Sequence, residues 1–367
     1  MALTLLHHRR SPRARSTLMR AVNRGELLRL RPGVFVETWP WLTAKPWIRH
    51  AACAAAVSLQ QPEAVLCRET ALAICGVPLL RVPDAVHLRA ASPSACGTAA
   101  GAPLTGSLPS PMLAALTAEA ARRQDAYASA LRPTAVRRCL PPVPQTHTAS
   151  QGRDLYWSAE TGPGTVRLPI PDVMTEDGSR VEARVEPLPF ALLDTLPRLS
   201  MEQAVMALDA VLARRCGYHV QVQSHDLSAV GQWLWSRKAE ERWRWAVEFA
   251  DPRSESPGES RSRVLIHQLG FQVPALQSVI RLPDASTARL DFDWQTDGVA
   301  GEFDGRVKFE ESATLSGSPQ AGVYWRQVRR EEKIRDTGRK VARWHWEDLA
   351  DPRRLEVKLL REGVSRR

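Results

Sequence analysis

Arg289-Leu290-Asp291-Phe292-Asp293-Trp294, then Thr296-Asp297-Gly298, then Val299-Ala300-Gly301-Glu302-Phe303-Asp304-Gly305, is the stretch on which the fold turns. Asp-Gly between two alternating runs is a strong hairpin signal. With a two-residue loop at Asp297-Gly298, residue 296 pairs with 299, Asp293 with Glu302 and Asp291 with Asp304. Leu290, Phe292 and Trp294 then share one face, and Asp291, Asp293, Glu302 and Asp304 share the other. Like charges facing each other on a ladder are destabilising. At ~5 Å and an effective dielectric of ~20, two carboxylates repel by roughly 3 kcal/mol. A packed hairpin carrying four such groups calls for a cation, and hard oxygen ligands suit Mg²⁺ or Mn²⁺. A solvated acidic edge is the plainer alternative.

Working outward, Ser256-Pro257-Gly258-Glu259 opens a helix that carries Val264, Leu265 and Leu269 and closes at Gly270. Ser256 with Glu259 is a capping box with Pro at the first helical position, so Glu259 has a structural role as well as a chemical one. Val273–Arg281 reads as a strand. Beyond the hairpin, Arg329, Arg330, Lys333 and Arg335 form a basic helical run suited to phosphate contacts.

These segments resemble the PD-(D/E)XK nuclease superfamily, in its branch related to the very-short-patch repair endonuclease (domain of unknown function 559). The carrying residues are Ser256-Pro257-Gly258-Glu259, Arg289-x-Asp291-Phe292-x-Trp294, Glu302-x-Asp304-Gly305-x-x-Lys308, Arg330-Glu331-Glu332-Lys333-Ile334-Arg335-Asp336-x-Gly338 and Val341-Ala342-Arg343-Trp344. The resemblance covers about residues 250–350. It implies a restriction-endonuclease-like α/β domain with a central mixed sheet. It further implies Asp291 and Glu302 as metal ligands, with Glu259 completing or orienting them. Asp304 stands where many members carry the motif lysine, and Lys308 would supply that charge from further along. The implied catalytic set is therefore Glu259, Asp291, Glu302, Asp304 and Lys308, with Mg²⁺ or Mn²⁺ as cofactor.

The other end has a different grammar. Ser11-Pro12 starts a helix with Leu18, Ala21 and Val22 on one stripe, and Gly25 ends it. Leu27–Arg31 and Val34–Glu37 flank the turn Pro32-Gly33, so a helix leads into a hairpin. Leu18-x-Arg20-Ala21-Val22-x-x-Gly25-x-Leu27-x-Arg29-Leu30-x-x-Gly33-Val34-Phe35-Val36 is similar to the antitoxin family of abortive-infection type IV toxin–antitoxin systems. Ala64-Val65-Leu66, Thr70-Ala71, Gly76, Pro187-x-x-Phe190-Ala191-Leu192-x-Asp194 and Ala204-Val205-x-x-Leu208-Asp209 fit the same family. The resemblance implies a winged-helix DNA-binding end, with Arg20, Arg24, Arg29 and Arg31 as its phosphate contacts.

The charge distribution agrees with phosphate-binding ends. The 367 residues carry a net charge of +10, with 44 Arg and 6 Lys. Residues 1–50 hold 10 basic and 2 acidic side chains, and residues 323–367 hold 14 and 8, so the middle is net negative. The length suggests two or three domains, drawn at 1–90 (winged-helix-like), 91–250 (a linker, then a helical and β region) and 251–367 (nuclease-like). Within the middle, 90–111 reads as a linker, Ser200 with Gln203 caps a helix, and another helix spans about 228–250. The fold class is α/β, α+β overall.

Other chemistries find little footing. The six cysteines contain no CxxC pair, which removes a zinc ribbon, and they read as reduced thiols packed as small hydrophobes. Ser224-His225-Asp226 are consecutive, whereas a triad is assembled in space. There is no Walker A motif and no HExxH. No run approaches ~18 apolar residues, and the Arg-rich start lacks a secretory pattern. The expectation is a cytoplasmic protein acting on DNA as a metal-dependent endonuclease, in repair or in defence against phages and mobile elements. A homodimer and a toxin or defence-system partner are further candidate associations. The alternative is a non-catalytic DNA-binding antitoxin or regulator on a relic nuclease fold.

Overall fold

The computed structural model describes residues 2–9, 13, 15–106, 110–122, 130–158, 163–217, 222–305 and 329–367. The chain is a mixture of helices and two mixed sheets. It divides into two compact units, Met1–Arg198 with Cys216–Trp243, and Leu199–Arg215 with Arg244–Arg367. This division differs from the sequence boundaries at 90/91 and 250/251. Among the described residues, no helix is long and apolar enough to cross a membrane.

Among the described residues, the first unit is built on nine strands: β1 (Leu3–His7), β2 (Leu27–Arg31), β3 (Val34–Glu37), β4 (Val65–Leu66), β5 (Ala85–Arg89), β6 (Gly97–Ala99), β7 (Ala135–Cys139), β8 (Val166–Thr175) and β9 (Arg180–Val185). Their order is β2-β3-β1-β8-β9-β4-β5-β7-β6. The expected helix–hairpin is present from Arg15 onward, and the expected helix start at Ser11-Pro12 lies outside the described residues. Helix Arg15–Arg24 buries Leu18, Ala21 and Val22. It ends where Gly25 takes a φ of +86° and the Glu26 amide reaches back to the Ala21 carbonyl. The hairpin turns at Pro32-Gly33, and β3 pairs with β1, which pairs in turn with β8, so the hairpin is the edge of a larger sheet. Helix Pro46–Gln60 packs across β8 and β9 and is buried without a break from Ile48 to Ser58. That accounts for its alanines, since a helix with no solvent face needs small apolar side chains all round. The segment read as one helix over 228–250 is broken. It comprises helix Ser224–Ala229, a 3₁₀ turn Val230–Trp233 and helix Arg237–Phe249. Ser236 starts the last of these by accepting from the Ala239 amide.

The second unit holds a four-stranded sheet in the order β10 (Ala275–Arg281), β11 (Thr287–Trp294), β12 (Val299–Asp304) and β13 (Lys340–His345). The first three strands run antiparallel, and β13 runs parallel to β12. Helix Pro257–Gln268 packs on one face over Phe292, Trp294, Phe303 and Trp344. Leu282, Leu290, Ala300, Ile334 and Val341 form a second cluster. Helix Met201–Leu212 belongs to this unit and packs against Pro257–Gln268.

The hairpin register corrects the expectation. Trp294 pairs with Val299, Asp293 with Ala300 and Phe292 with Gly301. The connection is thus the four residues Gln295–Gly298, closed by the Asp297 amide on the Trp294 carbonyl. Gly298 adopts φ +62°. A tight Asp-Gly turn does not form because Asp297 holds the chain end instead. Its carboxylate accepts from Ser365 N at 2.8 Å and Ser365 Oγ at 2.7 Å. Asp293 therefore does not face Glu302, and Asp291 does not face Asp304.

Candidate functional site

Asp291 sits where β11 and β12 separate. The last paired residues are Phe292 and Gly301, and beyond them the Asp291 carboxylate accepts from the Phe303 amide at 3.1 Å. A side-chain oxygen thus replaces the next ladder bond and leaves the carboxylate in the opening between two strands. Apolar residues change clusters at this point: Leu290 lies in one and Phe292 in the other. On the neighbouring strand Gln277 adopts φ +55° between Leu276 and Ser278. A non-glycine residue there is sparsely populated and is held only by its surroundings.

Glu302 is buried. One of its oxygens accepts from Arg330 Nη1 at 2.8 Å. The other is buried and has no hydrogen-bond partner among the described residues. Burial, and then the charge of Asp291, push the Glu302 carboxyl above the ordinary carboxylate range. Glu259 is also raised, chiefly by burial, with Asp291 adding to it. Its oxygens are occupied. Oε1 accepts from Ser256 Oγ at 2.8 Å, and Oε2 accepts from Glu255 N at 2.8 Å and Gln277 Nε2 at 3.1 Å. Of the capping box read from the sequence, the Ser256 half is present, its Oγ accepting from the Glu259 amide at 3.2 Å, whereas the Glu259 carboxylate takes the Glu255 amide in place of that of Ser256. Asp291, Glu259 and Glu302 are close enough for the first to raise the other two.

The remaining acids have separate partners. Asp293 is buried and pairs with Arg339 at 3.4 Å. Asp304 pairs with Arg343 at 2.8 Å, and Arg343 also reaches Glu331 at 2.9 Å. The single stacked face of four acids is thus resolved into cation pairs around Asp291. Lys308 lies outside the described residues. Among those described, no group of three or more His, Cys, Asp or Glu side chains is arranged to hold a metal ion.

The basic candidates separate into two sets. Arg329, Arg330 and Lys333 line a recess of about 390 Å³ with Leu282, Ser286, Thr287 and Ala288. Lys333 pairs there with Asp284 at 2.7 Å, and Arg330 also donates to the Arg289 carbonyl at 2.5 Å. Arg335 is exposed and pairs with Glu331 at 2.6 Å, outside that recess. In the first unit Arg20 and Arg24 are exposed on their helix, and Arg24 is forked onto Glu26 at 2.6 and 2.8 Å. Arg29 and Arg31 are half-buried on β2, and Arg31 is tied to Gln60 at 2.8 Å.

Sequence reasoning missed Gln277 and Arg343. Gln277 links the Glu259 helix to the sheet, and its Oε1 is buried without a partner among the described residues. Nothing in the alternation of Val273–Arg281 marks a left-handed residue. Arg343 was visible only as part of Val341-Ala342-Arg343-Trp344, and its parallel pairing opposite Glu302 is a long-range fact. Compared with protein-family models, curated proteins and solved structures, the chain matches none.

Proposed function

We propose that this chain is a DNA endonuclease that hydrolyses phosphodiesters with Mg²⁺ or Mn²⁺, as its resemblance to the PD-(D/E)XK superfamily implies. The observation that carries the reading is Asp291, in the opening between β11 and β12, beside Glu302, one buried oxygen of which has no hydrogen-bond partner among the described residues. Unsatisfied buried polar atoms are uncommon in folded proteins and call for an explanation such as an ion. Mg²⁺ is held by one or two carboxylates, with waters and substrate phosphates completing the shell. Asp291 and Glu302 suffice for that, and Glu259 positions the helix through its cap. When bound, the ion would activate water and neutralise charge on the scissile phosphate. Arg329, Arg330 and Lys333 would hold the phosphate backbone beside it, and Arg330 ties that recess to Glu302. The charge that Asp304 cannot supply in the motif position falls to Arg330.

One observation favours the second reading, a DNA-binding antitoxin or regulator that does not cut. Arg330 and Arg343 already neutralise Glu302 and Asp304. One pair of assays separates the two: cleavage of supercoiled plasmid with Mg²⁺ or Mn²⁺, and a mobility shift in EDTA. Under the nuclease reading wild type cuts and binds, whereas Asp291→Ala binds and cuts at least about 100-fold more slowly, a barrier increase of about 2.7 kcal/mol. Wild-type binding without cutting, across metals, substrates and methylation states, assigns the regulator. Equal cutting by the variant overturns the site.

A further inference from the structure

In the first unit, helix Pro46–Gln60, the turn after helix Arg68–Ile74 and strand β8 line a cavity of about 310 Å³. Ligand pockets run from about 300 to 1,000 Å³, and this one stands at the small end. Ile48, Ile74, Val77 and Leu79 make its walls apolar. Pro78, Pro83 and Pro171 add residues whose φ is fixed, so the walls have little freedom to lose when a ligand enters. Trp47 is 55% exposed and sets an indole at the rim.

Strand β8 leaves its ladder where it lines this cavity. Its pairing with β9 runs from Val166 to Pro169 and resumes at Met174. Pro171 and Asp172 fall in that gap, and both line the cavity. Asp172 takes φ +56°, a left-handed conformation that a residue with a side chain keeps only where its surroundings hold it. A bulge of this kind re-aims a side chain, here a carboxylate. Three ionisable side chains line the cavity: His50, Arg81 and Asp172. His50 is buried, and burial followed by His87 lowers its pKa to about 4, so the ring is neutral near pH 7. Arg81 and Asp172 are exposed. Neither makes an ion pair or a hydrogen bond among the described residues, and they do not pair with each other. An uncharged apolar interior is thus combined with one unpaired cation and one unpaired anion.

Charge complementarity selects the occupant. An apolar acid meets Arg81 and is opposed by Asp172, and an apolar amine meets Asp172 and is opposed by Arg81. A neutral apolar molecule uses neither charge. A zwitterion with an apolar side chain uses both charges and the interior together. We propose that this cavity is a binding site for a free α-amino acid with a large apolar side chain, its carboxylate on Arg81, its ammonium on Asp172 and its side chain among Ile48, Ile74, Val77 and Leu79. Burial of the side chain supplies the driving force, and the two exposed charges fix orientation and exclude other classes. Aromatic side chains gain further from Trp47. The site lies wholly in the first unit and is independent of the chemistry proposed for the second.

The test is calorimetric titration of the full chain at pH 7 with L-phenylalanine, L-alanine, phenethylamine and hydrocinnamate. L-phenylalanine should bind saturably, about tenfold or more tighter than L-alanine, which carries the same two charges and little to bury. Phenethylamine lacks the carboxylate and hydrocinnamate the ammonium, and each should bind about tenfold or more weaker than L-phenylalanine. Arg81→Gln should weaken L-phenylalanine by about the same factor and leave phenethylamine no weaker than in wild type. Asp172→Asn keeps a residue that tolerates positive φ. It should weaken L-phenylalanine alike and leave hydrocinnamate no weaker. Both side chains are exposed, so neither substitution opens the core. No saturable binding of L-phenylalanine up to about 10 mM, or equal affinity for L-alanine, overturns the proposal. Unchanged L-phenylalanine binding in both variants overturns it too, and so does an equal loss for charged-matched and unmatched ligands, which reports a distorted cavity. If phenylalanylglycine binds as tightly as L-phenylalanine, the occupant is the amino terminus of a peptide and the free amino acid is overturned.

Discussion

Glu259 carries two roles that a sequence cannot separate, because both need the same carboxylate three residues after a serine. The local role was legible: Ser-x-x-Glu is an i, i+3 relation, and the helix geometry brings the groups together. The third contact, from Gln277, joins residues 18 apart in the chain and depends on a left-handed backbone that no alternation pattern encodes. His50 was equally silent. It is buried in an alanine-rich helix, with Nε2 3.3 Å from Thr70 Oγ1 and Nδ1 unpartnered among the described residues. Burial, then His87, lowers its pKa to about 4. The ring is therefore neutral in the folded protein where it would be charged in the unfolded chain. The unfolded state binds the extra proton between pH ~6.5 and 4, so stability is lost as pH falls through that window. The loss is about 3 kcal/mol in all. Urea unfolding of wild type and His50→Gln at pH 7 and pH 4.5 checks this. The wild-type advantage should shrink by about 2–3 kcal/mol at the lower pH, and a constant difference would mean that the ring is not held neutral.

At the scale of the element, both strands of the hairpin were legible and their register was not. Alternation identifies β11 and β12 because each is a local pattern of period two. Register depends on where the loop closes, and Asp297 is recruited by Ser365, 68 residues further on. The consequence reaches the site, since the ladder stops at Phe292 and Gly301 and the next step of this register sets Asp291 across from Glu302 instead of Asp304. Gly301 was quoted in the motif without a role, and the structure supplies one. A Cβ built there would lie 2.7 Å from Trp344 Cη2, 2.9 Å from Trp294 Cζ3 and 3.0 Å from Phe292 Cβ. The two tryptophan rings close over a strand that must have no side chain at this position. Gly301→Ala should cost about 1–3 kcal/mol, the usual cost of overpacking a filled core. The measurement is the urea midpoint at unchanged slope. A variant as stable as wild type would show that the rings are not packed over the strand.

On the scale of the whole molecule, the boundary near residue 250 that composition suggests cuts through a cooperative unit. Helix Met201–Leu212 was legible as a helix from its cap and period, and its residues Ala204, Val205, Leu208 and Asp209 were grouped by resemblance with the N-terminal half. It belongs with the second unit, for a reason 54 residues away: Asp209 pairs with Arg263 at 3.0 Å, and both are buried. Asp209 also accepts from the Asp251 amide at 2.7 Å, and Arg263 donates to the Phe249 carbonyl at 2.7 Å. A fragment 251–367 loses the helix, the carboxylate and the carbonyl together. Removing one partner of a buried pair costs about 3–5 kcal/mol, and the apolar face of Pro257–Gln268 that meets Met201–Leu212 is exposed as well. Against a typical stability of about 5–15 kcal/mol, that fragment should show no cooperative unfolding transition by circular dichroism. A fragment 199–367 keeps every one of these contacts, with residues 216–243 left as a tether, and should unfold cooperatively. Asp209→Ala in the full chain isolates the ion pair from the rest of the truncation and should lower stability by about 3–5 kcal/mol. If 251–367 melts as sharply as 199–367, the helix is a passenger, and the four-stranded sheet stands without it.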